Sequence, residues 1–310
     1  MNLTSFSGYL QAFSAVFFWS LNTVLATLFL TDLSPIEFAF GRWFFALLIL
    51  LPLAWNGIKK NKRYFVHRWI WIVGLAITGI VLDNTLLYVA AKTTSSIDMG
   101  LLNALGPIFL CLLTWIFLRA HVYLTQIVGI FCAVVGVVII VSKGNWHVLS
   151  QMNFSVGEGW MIINALCFGV YSFLQNSRPN FVSQKDLLGI TVFVGVLILL
   201  PIFLWQTPLD RLKVLGTQEY SVLLYLGIFN SVIAYLMWNS ALKEIGPIKT
   251  SIVYYLMPVL TMIEAVVIMD VTVSRAEIVG GIIVMTGIFI VGLGPRVRFS
   301  PLKQTKRKNG

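Results

Sequence analysis

The sequence predicts an all-α integral membrane protein with ten transmembrane helices, arranged as two inverted five-helix repeats. Two observations carry this prediction. Ten apolar stretches run along the 310 residues, and many residues of the first half recur in the second half at one constant spacing. An odd number of spans in each half places the second copy upside down relative to the first.

The composition is that of a membrane protein. The chain is 58% hydrophobic and only 11% charged, whereas soluble proteins carry about 25% charged residues. Each stretch is long enough for one span, because a helix crosses a core of roughly 30 Å with about 17–25 mostly apolar residues. We place the spans near 8–29, 35–56, 69–91, 97–118, 122–142, 157–176, 186–205, 219–242, 247–269 and 275–294. The loops between them are short, so we expect no soluble domain.

The internal repeat separates its two copies by about 151 residues. The recurring residues are mainly glycines, prolines and small apolar residues: Gly8 with Gly159, Phe17 with Phe168, Ala90 with Ala241, Pro107 with Pro258, Gly129 with Gly280, Gly136 with Gly287 and Ile139 with Ile290. We assign a first repeat, a linker, a second repeat and a basic cytoplasmic tail to residues 1–143, 144–156, 157–295 and 296–310. Inverted repeats are common in secondary transporters, because two similar halves can rock about a shared midplane site.

The distribution of basic residues predicts the orientation. With the N-terminus in the cytoplasm, 16 lysines and arginines fall on the cytoplasmic side and 5 fall outside, namely Lys92, Lys143, Arg211, Lys213 and Arg275. Cytoplasmic loops gather Lys and Arg, so we expect a multi-pass protein of the cell (inner) membrane with both termini in the cytoplasm. The net charge of +10 then reflects topology and contact with anionic lipid, and nucleic-acid binding is not expected.

Motifs for enzyme chemistry do not occur in the sequence. The three histidines have no partner at metal-ligand spacing, and there is no GxSxG, HExxH or Walker loop. The cysteines lie in apolar segments without CxxC spacing and are interpreted as buried hydrophobic residues. The first apolar run is long enough to remain as a span, so we expect no cleaved signal peptide. We expect no enzyme activity, cofactor or metal, and any transport must be driven by a gradient of substrate, proton or ion.

Three charged residues lie inside predicted spans: Arg42 in span two, Asp83 in span three and Glu264 in span nine. A charge near a helix centre costs about 2.5–3.5 kcal/mol on insertion scales and therefore suggests function. At about 1.5 Å per residue, the three lie at similar depth in the outer half of the bilayer, and we predict that Arg42 contacts Asp83 or Glu264. The surplus negative charge must then be neutralised by a proton, a cationic substrate group or a wet cavity. The alternative is a structural ion pair that only ties helices together.

Polar and aromatic side chains accompany these charges. Tyr254, Thr261 and Glu264 share a helical face in span nine, and Asn84 lies beneath Tyr88 in span three. Spans one, four and eight add Asn22, Asn103, Asn230, Tyr235, Trp238 and Asn239. We interpret this concentration as a cavity, the alternative being hydrogen bonds between helices. The candidate substrate-binding residues are Arg42, Asp83, Asn84, Tyr88, Asn103, Trp238, Tyr254, Tyr255, Thr261 and Glu264.

Prolines interrupt matching spans of the two halves. Gly106-Pro107 lies in span four and Met257-Pro258 in span nine. Proline lacks an N–H and frees the carbonyl four residues earlier. Interruptions at corresponding positions point to a central binding site, so we assign Pro107 and Pro258 as hinges. A packing kink without a ligand is the alternative.

Two sequence patterns resemble a known family. One is Ser34-Pro35 followed by Arg42 and Ala46, and the other is the repeated alanine, proline and glycine pair at Ala90, Pro107, Gly129, Gly136 and at Ala241, Pro258, Gly280, Gly287. Over about residues 8–294 these patterns are similar to the EamA family of the drug/metabolite transporter superfamily. The resemblance implies ten helices, cytoplasmic termini, a cavity lined mainly by spans three, four, eight and nine with parts of one and six, and transport of small metabolites such as amino acids. Leu118-Arg119 and Met269-Asp270 depart from the Gly-Glu pair that commonly ends span four of the family's first half.

The function predicted from the sequence is gradient-driven transport of a small metabolite by alternating access. An amino acid or a related zwitterion or cation is the preferred substrate, with the lipid bilayer and protons as further partners. Asp83 and Glu264 would pair with a cationic group or a proton, and Arg42 would hold an acid or a carboxylate. The alternative is a non-transporting membrane scaffold or partner subunit. A membrane-embedded enzyme, the third class, is disfavoured by the missing motifs.

Overall fold

The computed structural model describes residues 3–29, 33–118, 124–145, 155–175, 177–208, 210–211, 215–245, 250, 253–254 and 256–292. Every regular element within these residues is a helix, as predicted. Most of the predicted linker and the whole predicted tail lie outside them.

The helices in chain order are α1 (Leu3–Leu28), α2 (Pro35–Lys60), α3 (Lys62–His67), α4 (Trp69–Ala76), α5 (Asp83–Ala90), α6 (Ser96–Asn103), α7 (Gly106–Leu118), α8 (Leu124–Val141), α9 (Val156–Gln175), α10 (Gln184–Gln206), α11 (Thr217–Tyr225), α12 (Ala234–Glu244), α13 (Met257–Met269) and α14 (Arg275–Gly292). Two π-helical segments continue these rods. The first π segment, Ile77–Leu82, joins α4 to α5, and the second π segment, Leu226–Ile233, joins α11 to α12.

Seven helical stretches are long and apolar enough to cross a membrane: Phe6–Leu28, Pro35–Lys60, Trp69–Ala90, Ser96–Phe117, Val156–Gln175, Gln184–Gln206 and Thr217–Ala241. They correspond to predicted spans one to four and six to eight. Two shorter apolar stretches, Ile127–Ile140 and Met257–Met269, lie where spans five and nine are predicted, and α14 lies at span ten. The count of ten spans and the inverted relation of the halves therefore stay predictions.

The surface of the described part of the molecule is apolar, unlike that of a soluble protein. Large apolar side chains face outward, with Trp205 86% exposed and Val267 77% exposed, while Arg42 and Asn230 are buried inside. Lipid offers no hydrogen-bond partners, so polar groups must find theirs within the protein. This distribution fits a protein surrounded by hydrocarbon.

The principal helix contacts join the two halves of the sequence. In the described chain, α1 packs on α12, α2 on α10, α5 on α9, α6 on α13 and α8 on α14. Where α8 crosses α14, a Cβ atom on Gly136 would lie 2.7 Å from the carbonyl oxygen of Gly280, and one on Gly280 would lie 2.8 Å from the carbonyl oxygen of Gly136. These two glycines of the repeat let the backbones touch, which strengthens helix association in a membrane.

The N-terminus of α2 is fixed to the other half by Glu37. This side chain accepts a hydrogen bond from the backbone N–H of Ser34 at 2.7 Å, while the Ser34 hydroxyl accepts from the backbone N–H of Glu37 at 3.3 Å. The other carboxylate oxygen of Glu37 forms an ion pair of 2.7 Å with Nε of Arg211, which follows α10. The carboxylate therefore caps one helix and holds a segment of the second half.

Spans four and nine are broken at equivalent positions, as the prolines predict. α6 ends at Asn103 and α7 begins at Gly106, with Leu105 N–H bonded three residues back to Leu102 O at 3.0 Å. α13 begins at Met257, just after Leu256, whose N–H is likewise bonded three residues back, to Val253 O, at 3.0 Å. Each proline lies in the first turn of the following helix, where its missing N–H has no partner to lose.

The two π segments are a feature that the sequence analysis did not predict. Shifted by the 151-residue spacing of the repeat, residues 77–82 fall on 228–233, within the second π segment. π-helical turns are rare and occur frequently at functional sites, because they redirect side chains and alter carbonyl bonding. Their matched positions in spans three and eight direct attention to the space between those spans.

Candidate functional site

A polar cavity lies where helices of both halves meet, next to the two π segments. Its atom-free volume, including the part that is open to the outside, is about 370 Å³, and the space open to the centre of a water molecule is about 30 Å³, enough for about two waters. Its lining residues are Trp19, Asn22, Arg42, Asp83, Asn84, Leu87, Asn103, Asn164, Phe168, Asn230, Tyr235, Tyr254 and Met257. They come from spans one, three, four, six, eight and nine, which the family resemblance implies, and also from span two.

Arg42 lies almost fully buried at one side of the cavity, with 1% of its surface exposed. Its Nε donates to the Ser231 hydroxyl at 2.6 Å, and its Nη1 donates to Asn84 Oδ1 at 2.6 Å and to the Tyr88 hydroxyl at 3.2 Å. The guanidinium carbon lies 5.0 Å from the ring centre of Trp43, within cation–π range. Neutral oxygens and an aromatic face thus replace water around this charge.

The predicted contact of Arg42 with an acid is indirect in the described structure and runs through Asn84. Among the described residues Arg42 forms no ion pair with Asp83 or Glu264. Asn84 stands between the charges: its Oδ1 accepts from Arg42 at 2.6 Å, and its Nδ2 donates to Asp83 Oδ2 at 3.2 Å. An amide can bridge a cation and an anion because it carries both an acceptor and donors.

Asp83 presents its carboxylate to the cavity. It is the first residue of α5, directly after the first π segment, and it is partly exposed where Arg42 is not. Asn164 of α9 donates to Asp83 Oδ1 at 3.3 Å and also to the Asp83 backbone carbonyl, while Asn84 donates to Oδ2. Within the described chain the carboxylate has amide partners and no ion-pair partner. It is therefore the group best placed to receive a cation from the cavity.

Tyr88 lies behind Arg42 and does not line the cavity. It is fully buried, its ring stacks on Phe38 at 4.8 Å between centres, and its hydroxyl donates to Asn22 Oδ1 at 2.9 Å. Because the same hydroxyl accepts from Arg42, Tyr88 connects Arg42 to α1. Its place is that of a supporting residue.

The π segments offer backbone carbonyls to side chains of the site. Gly79 O accepts from Asn84 Nδ2 at 3.3 Å and from the Tyr235 hydroxyl at 3.5 Å. Asn230 O accepts from Trp19 Nε1 at 3.2 Å, and Asn230 Nδ2 donates to the Phe18 carbonyl. The irregular backbone therefore holds polar side chains of both halves in place.

Aromatic rings form a second wall of the cavity around Trp19. Its ring centre lies 5.2 Å from Tyr235, 5.3 Å from Trp238 and 6.2 Å from Tyr254. Phe168 stacks on Tyr254 at 5.4 Å. Trp238 packs behind the lining rather than in it, 5.5 Å from Tyr254. The faces of such rings attract cations.

The remaining candidates fall in three places. Asn103 lines the cavity at the break in span four. Thr261 donates to Met257 O at 2.9 Å and packs against Gly100, where a Cβ atom would lie 2.7 Å from the threonine Cβ, so it belongs to a helix contact. Pro258 is buried and lines an apolar groove between α13 and α14. Tyr255 and the side chain of Pro107 lie outside the described part of the chain.

Glu264 lies apart from the cavity. It faces α1 from α13, is 8% exposed and contacts the hydroxyl of Ser20 at 2.8 Å. It is directed to Ser20 of α1 and is absent from the cavity lining. The two acids therefore occupy different environments, one in the cavity and one between helices.

Sequence reasoning missed several lining residues. Four of them belong to apolar runs in which the sequence does not distinguish cavity-facing from lipid-facing positions, namely Trp19, Phe168, Leu87 and Met257. Asn164 could have been recognised, because an amide within span six requires a partner inside the protein. Its partner is Asp83.

Comparison with known proteins agrees with this architecture. A family model described as the EamA-like transporter family matches residues 6–142 and 155–293. The chain is 26% identical over 243 residues to the uncharacterized transporter YyaM of Bacillus subtilis, covering 78% of this chain and 79% of that protein. It is 25% identical over 276 residues to an uncharacterized transporter of Archaeoglobus fulgidus, covering 88% and 92%.

Two further similarities extend over most of the chain. Protein PecM of Dickeya dadantii is 24% identical over 300 residues, covering 95% of this chain and 96% of that protein. A solved crystal structure superposes with a TM-score of 0.60 at 18% identity, over 92% of this chain and 95% of that chain. The structural likeness concerns the fold alone.

Proposed function

This chain belongs to the EamA-like transporter family, and we propose that it is a gradient-driven carrier of a small metabolite that bears a cationic group. An amino acid or a related zwitterion or amine fits best. The substrate would occupy the polar cavity and pass through the inner membrane by alternating access, with both termini of the chain in the cytoplasm.

The observation that carries the proposal is the contrast between Asp83 and Arg42. Both residues line the cavity, but the guanidinium is almost fully buried among fixed oxygens, whereas Asp83 is a partly exposed residue whose carboxylate is held by neutral amides. A cation that enters the cavity therefore meets an anion with no ion pair to break. The attraction between opposite charges is also stronger in a poorly solvated site than in water.

The aromatic wall supports the same substrate class. Trp19, Phe168 and Tyr254 line the cavity together with Asp83. A cation over such a ring gains about 0.5–2 kcal/mol. For a zwitterion, the amides of Asn22, Asn103 and Asn230 at other edges of the cavity carry N–H donors that suit a carboxylate.

The small size of the cavity supports a change of conformation during transport. Space for about two waters is too little for an amino acid, so the surrounding helices must separate for a substrate to enter. The turns at 104–105 and at Leu256 directly precede α7 and α13 and are places at which these helices can tilt. As contacts between the halves dominate the packing, a rocking motion of one half against the other is the simplest way to enlarge the cavity.

The proposal is tested by flux into proteoliposomes that contain the purified full-length protein. A panel of labelled amino acids, amines and deaminated carboxylic acids separates the classes, with protein-free liposomes as the blank. We expect compounds with an amine to move and their deaminated analogues to remain outside. A thermal-shift screen over the same panel would select binders first, because a ligand stabilises the state that it binds.

Asp83→Asn is the decisive variant. It should lower flux at least tenfold, which corresponds to about 1.4 kcal/mol, since the amide keeps the shape and loses the charge. The matched control is Asp270→Asn, at an exposed position with φ 53°, a conformation that asparagine adopts readily. Wild-type flux in Asp83→Asn, or preference for deaminated acids, would exclude the proposed recognition.

A further inference from the structure

Glu264 is a buried acid for which the cavity provides no role. It lies on α13, a helix of the second half, and faces Ser20 of α1, a helix of the first half. Ser20 is fully buried and Glu264 is 8% exposed. The contact therefore lies in a buried interface between the two halves.

The protons available at this contact determine the state of the acid. Ser20 Oγ lies 2.8 Å from Glu264 Oε1 and 2.9 Å from the Phe17 carbonyl oxygen. A hydroxyl has one proton to donate, and a carbonyl can only accept. With Ser20 as the donor to both oxygens, its single proton is shared between them. Each contact is a full two-centre hydrogen bond when Ser20 donates to Phe17 and a protonated Glu264 donates to Ser20.

The second carboxyl oxygen leads to the same conclusion. Glu264 Oε2 is buried and has no hydrogen-bond partner in the described structure. Leaving one oxygen of an ionised carboxylate unpaired costs more than leaving the carbonyl oxygen of a neutral acid unpaired, because the charge must also be desolvated.

Among the residues that the structure describes, no neighbouring group supplies a positive charge. The titratable groups on the elements around Glu264 are Tyr9 on α1, Asp98 on α6 and Glu219, Tyr220 and Tyr225 on α11, none of which is a cation. Arg275 at the start of α14 forms no ion pair with Glu264 among the described residues. The charge of an ionised Glu264 would be uncompensated.

A metal cation fits the contact less well than a proton. Hard cations require several oxygen ligands, and here Ser20 Oγ and the carboxyl group are the oxygens in contact. The nearby hydroxyl of Thr261 is directed to Met257 O. The described residues contain no cluster of three acidic, His or Cys side chains that could hold a metal.

We propose that Glu264 is a proton-carrying site separate from the cavity, loaded when α1 and α13 are in contact and emptied when they separate. On separation, water reaches the carboxylic acid, its O–H bond breaks, and the proton passes to water to leave a carboxylate. Contact between the helices then requires a proton to return. Its coupling to substrate movement rests on the proposed function, but the loading of the site does not.

Infrared spectroscopy of the purified protein in lipid tests the loading directly. At neutral pH the wild-type spectrum should contain a carboxylic-acid carbonyl band that Glu264→Gln removes. Ser20→Ala, which removes the acceptor of the acidic proton, should shift this band while keeping it. Glu277→Gln, a matched change in an exposed helix cap of the second half, should leave it unchanged. A spectrum in which neither Glu264→Gln nor Ser20→Ala changes the carboxylic-acid region overturns the proposal.

Flux measurements separate this proposal from the proposed function. With a transported amine or amino acid, an imposed pH gradient should change the wild-type rate severalfold and leave the Glu264→Gln rate unchanged. An unaltered pH response in Glu264→Gln would overturn the emptying and refilling of the site during transport. If no compound of the panel moves, the infrared result still decides whether the site is protonated, and only the carrier function fails.

Discussion

Replacement of Arg42 by lysine tests whether the guanidinium organises the cavity. The substitution keeps the charge and changes its geometry. Arginine reaches Ser231 through Nε and Asn84 through Nη1, both at 2.6 Å. A lysine has one nitrogen at the end of its chain, so it can replace one of these positions and leaves the other oxygen without its donor.

The expected loss follows from these contacts. A hydrogen bond to a charged group contributes about 1.5–3 kcal/mol, and a buried partner left unsatisfied adds to the loss. We therefore expect Arg42→Lys to lower the free energy of unfolding by about 1.5–3 kcal/mol. Flux should fall as well, because Asn84, which also holds Asp83, loses its fixed donor.

The assay is unfolding in mixed micelles followed by tryptophan fluorescence, together with flux. Arg275→Lys, at an exposed position, is the matched control and should stay within about 0.5 kcal/mol of wild type. If Arg42→Lys also stays within that range and transports normally, the guanidinium contacts do not hold the site together.

Three further changes have defined outcomes. Tyr88→Phe removes the donor to Asn22 Oδ1 at 2.9 Å and should destabilise the protein by about 1–3 kcal/mol, measured in the same micelles; unchanged stability would mean that the Asn22 amide finds another partner. Gly136→Ala places a Cβ atom 2.7 Å from a backbone oxygen of α14 and should lower the thermal midpoint with an unchanged KM. The control Gly159→Ala, whose Cβ atom meets nothing within 4 Å, should keep the wild-type midpoint. Equal midpoints of the two variants would show that the helices can separate freely. A reporter fused after Gly310 should be cytoplasmic and one in the loop between α10 and α11 external, and an external Gly310 would contradict the predicted orientation.

The sequence predicted the features that depend on local chemistry. Apolar length located the long helices, and the missing N–H groups of Pro107 and Pro258 located the breaks in spans four and nine. The polar residues of the cavity were also recognised in large part, because an amide or a charge within an apolar span requires a partner inside the protein.

The sequence could not give the direction in which side chains point. Counting residues placed Arg42 and Asp83 at similar depth, but the first π segment adds residues to its turns and rotates everything that follows it relative to a regular helix. As a result Asn84 turns toward Arg42 and Asp83 turns toward the cavity. Glu264 likewise faces α1, a direction that its own helical face does not determine.

The separation of Arg42 from Asp83 has an electrical consequence for a carrier. The two fixed charges cancel across Asn84, so a cavity that holds water or a zwitterion carries no net charge through the bilayer. Its reorientation would not respond to membrane voltage. A cavity that holds a simple amine carries one positive charge, and over the full potential that charge gains or loses about 2.3 kcal/mol per 100 mV. As far as these two charges are concerned, the site would therefore move zwitterions independently of the membrane potential and draw cationic amines toward the negative side of the membrane.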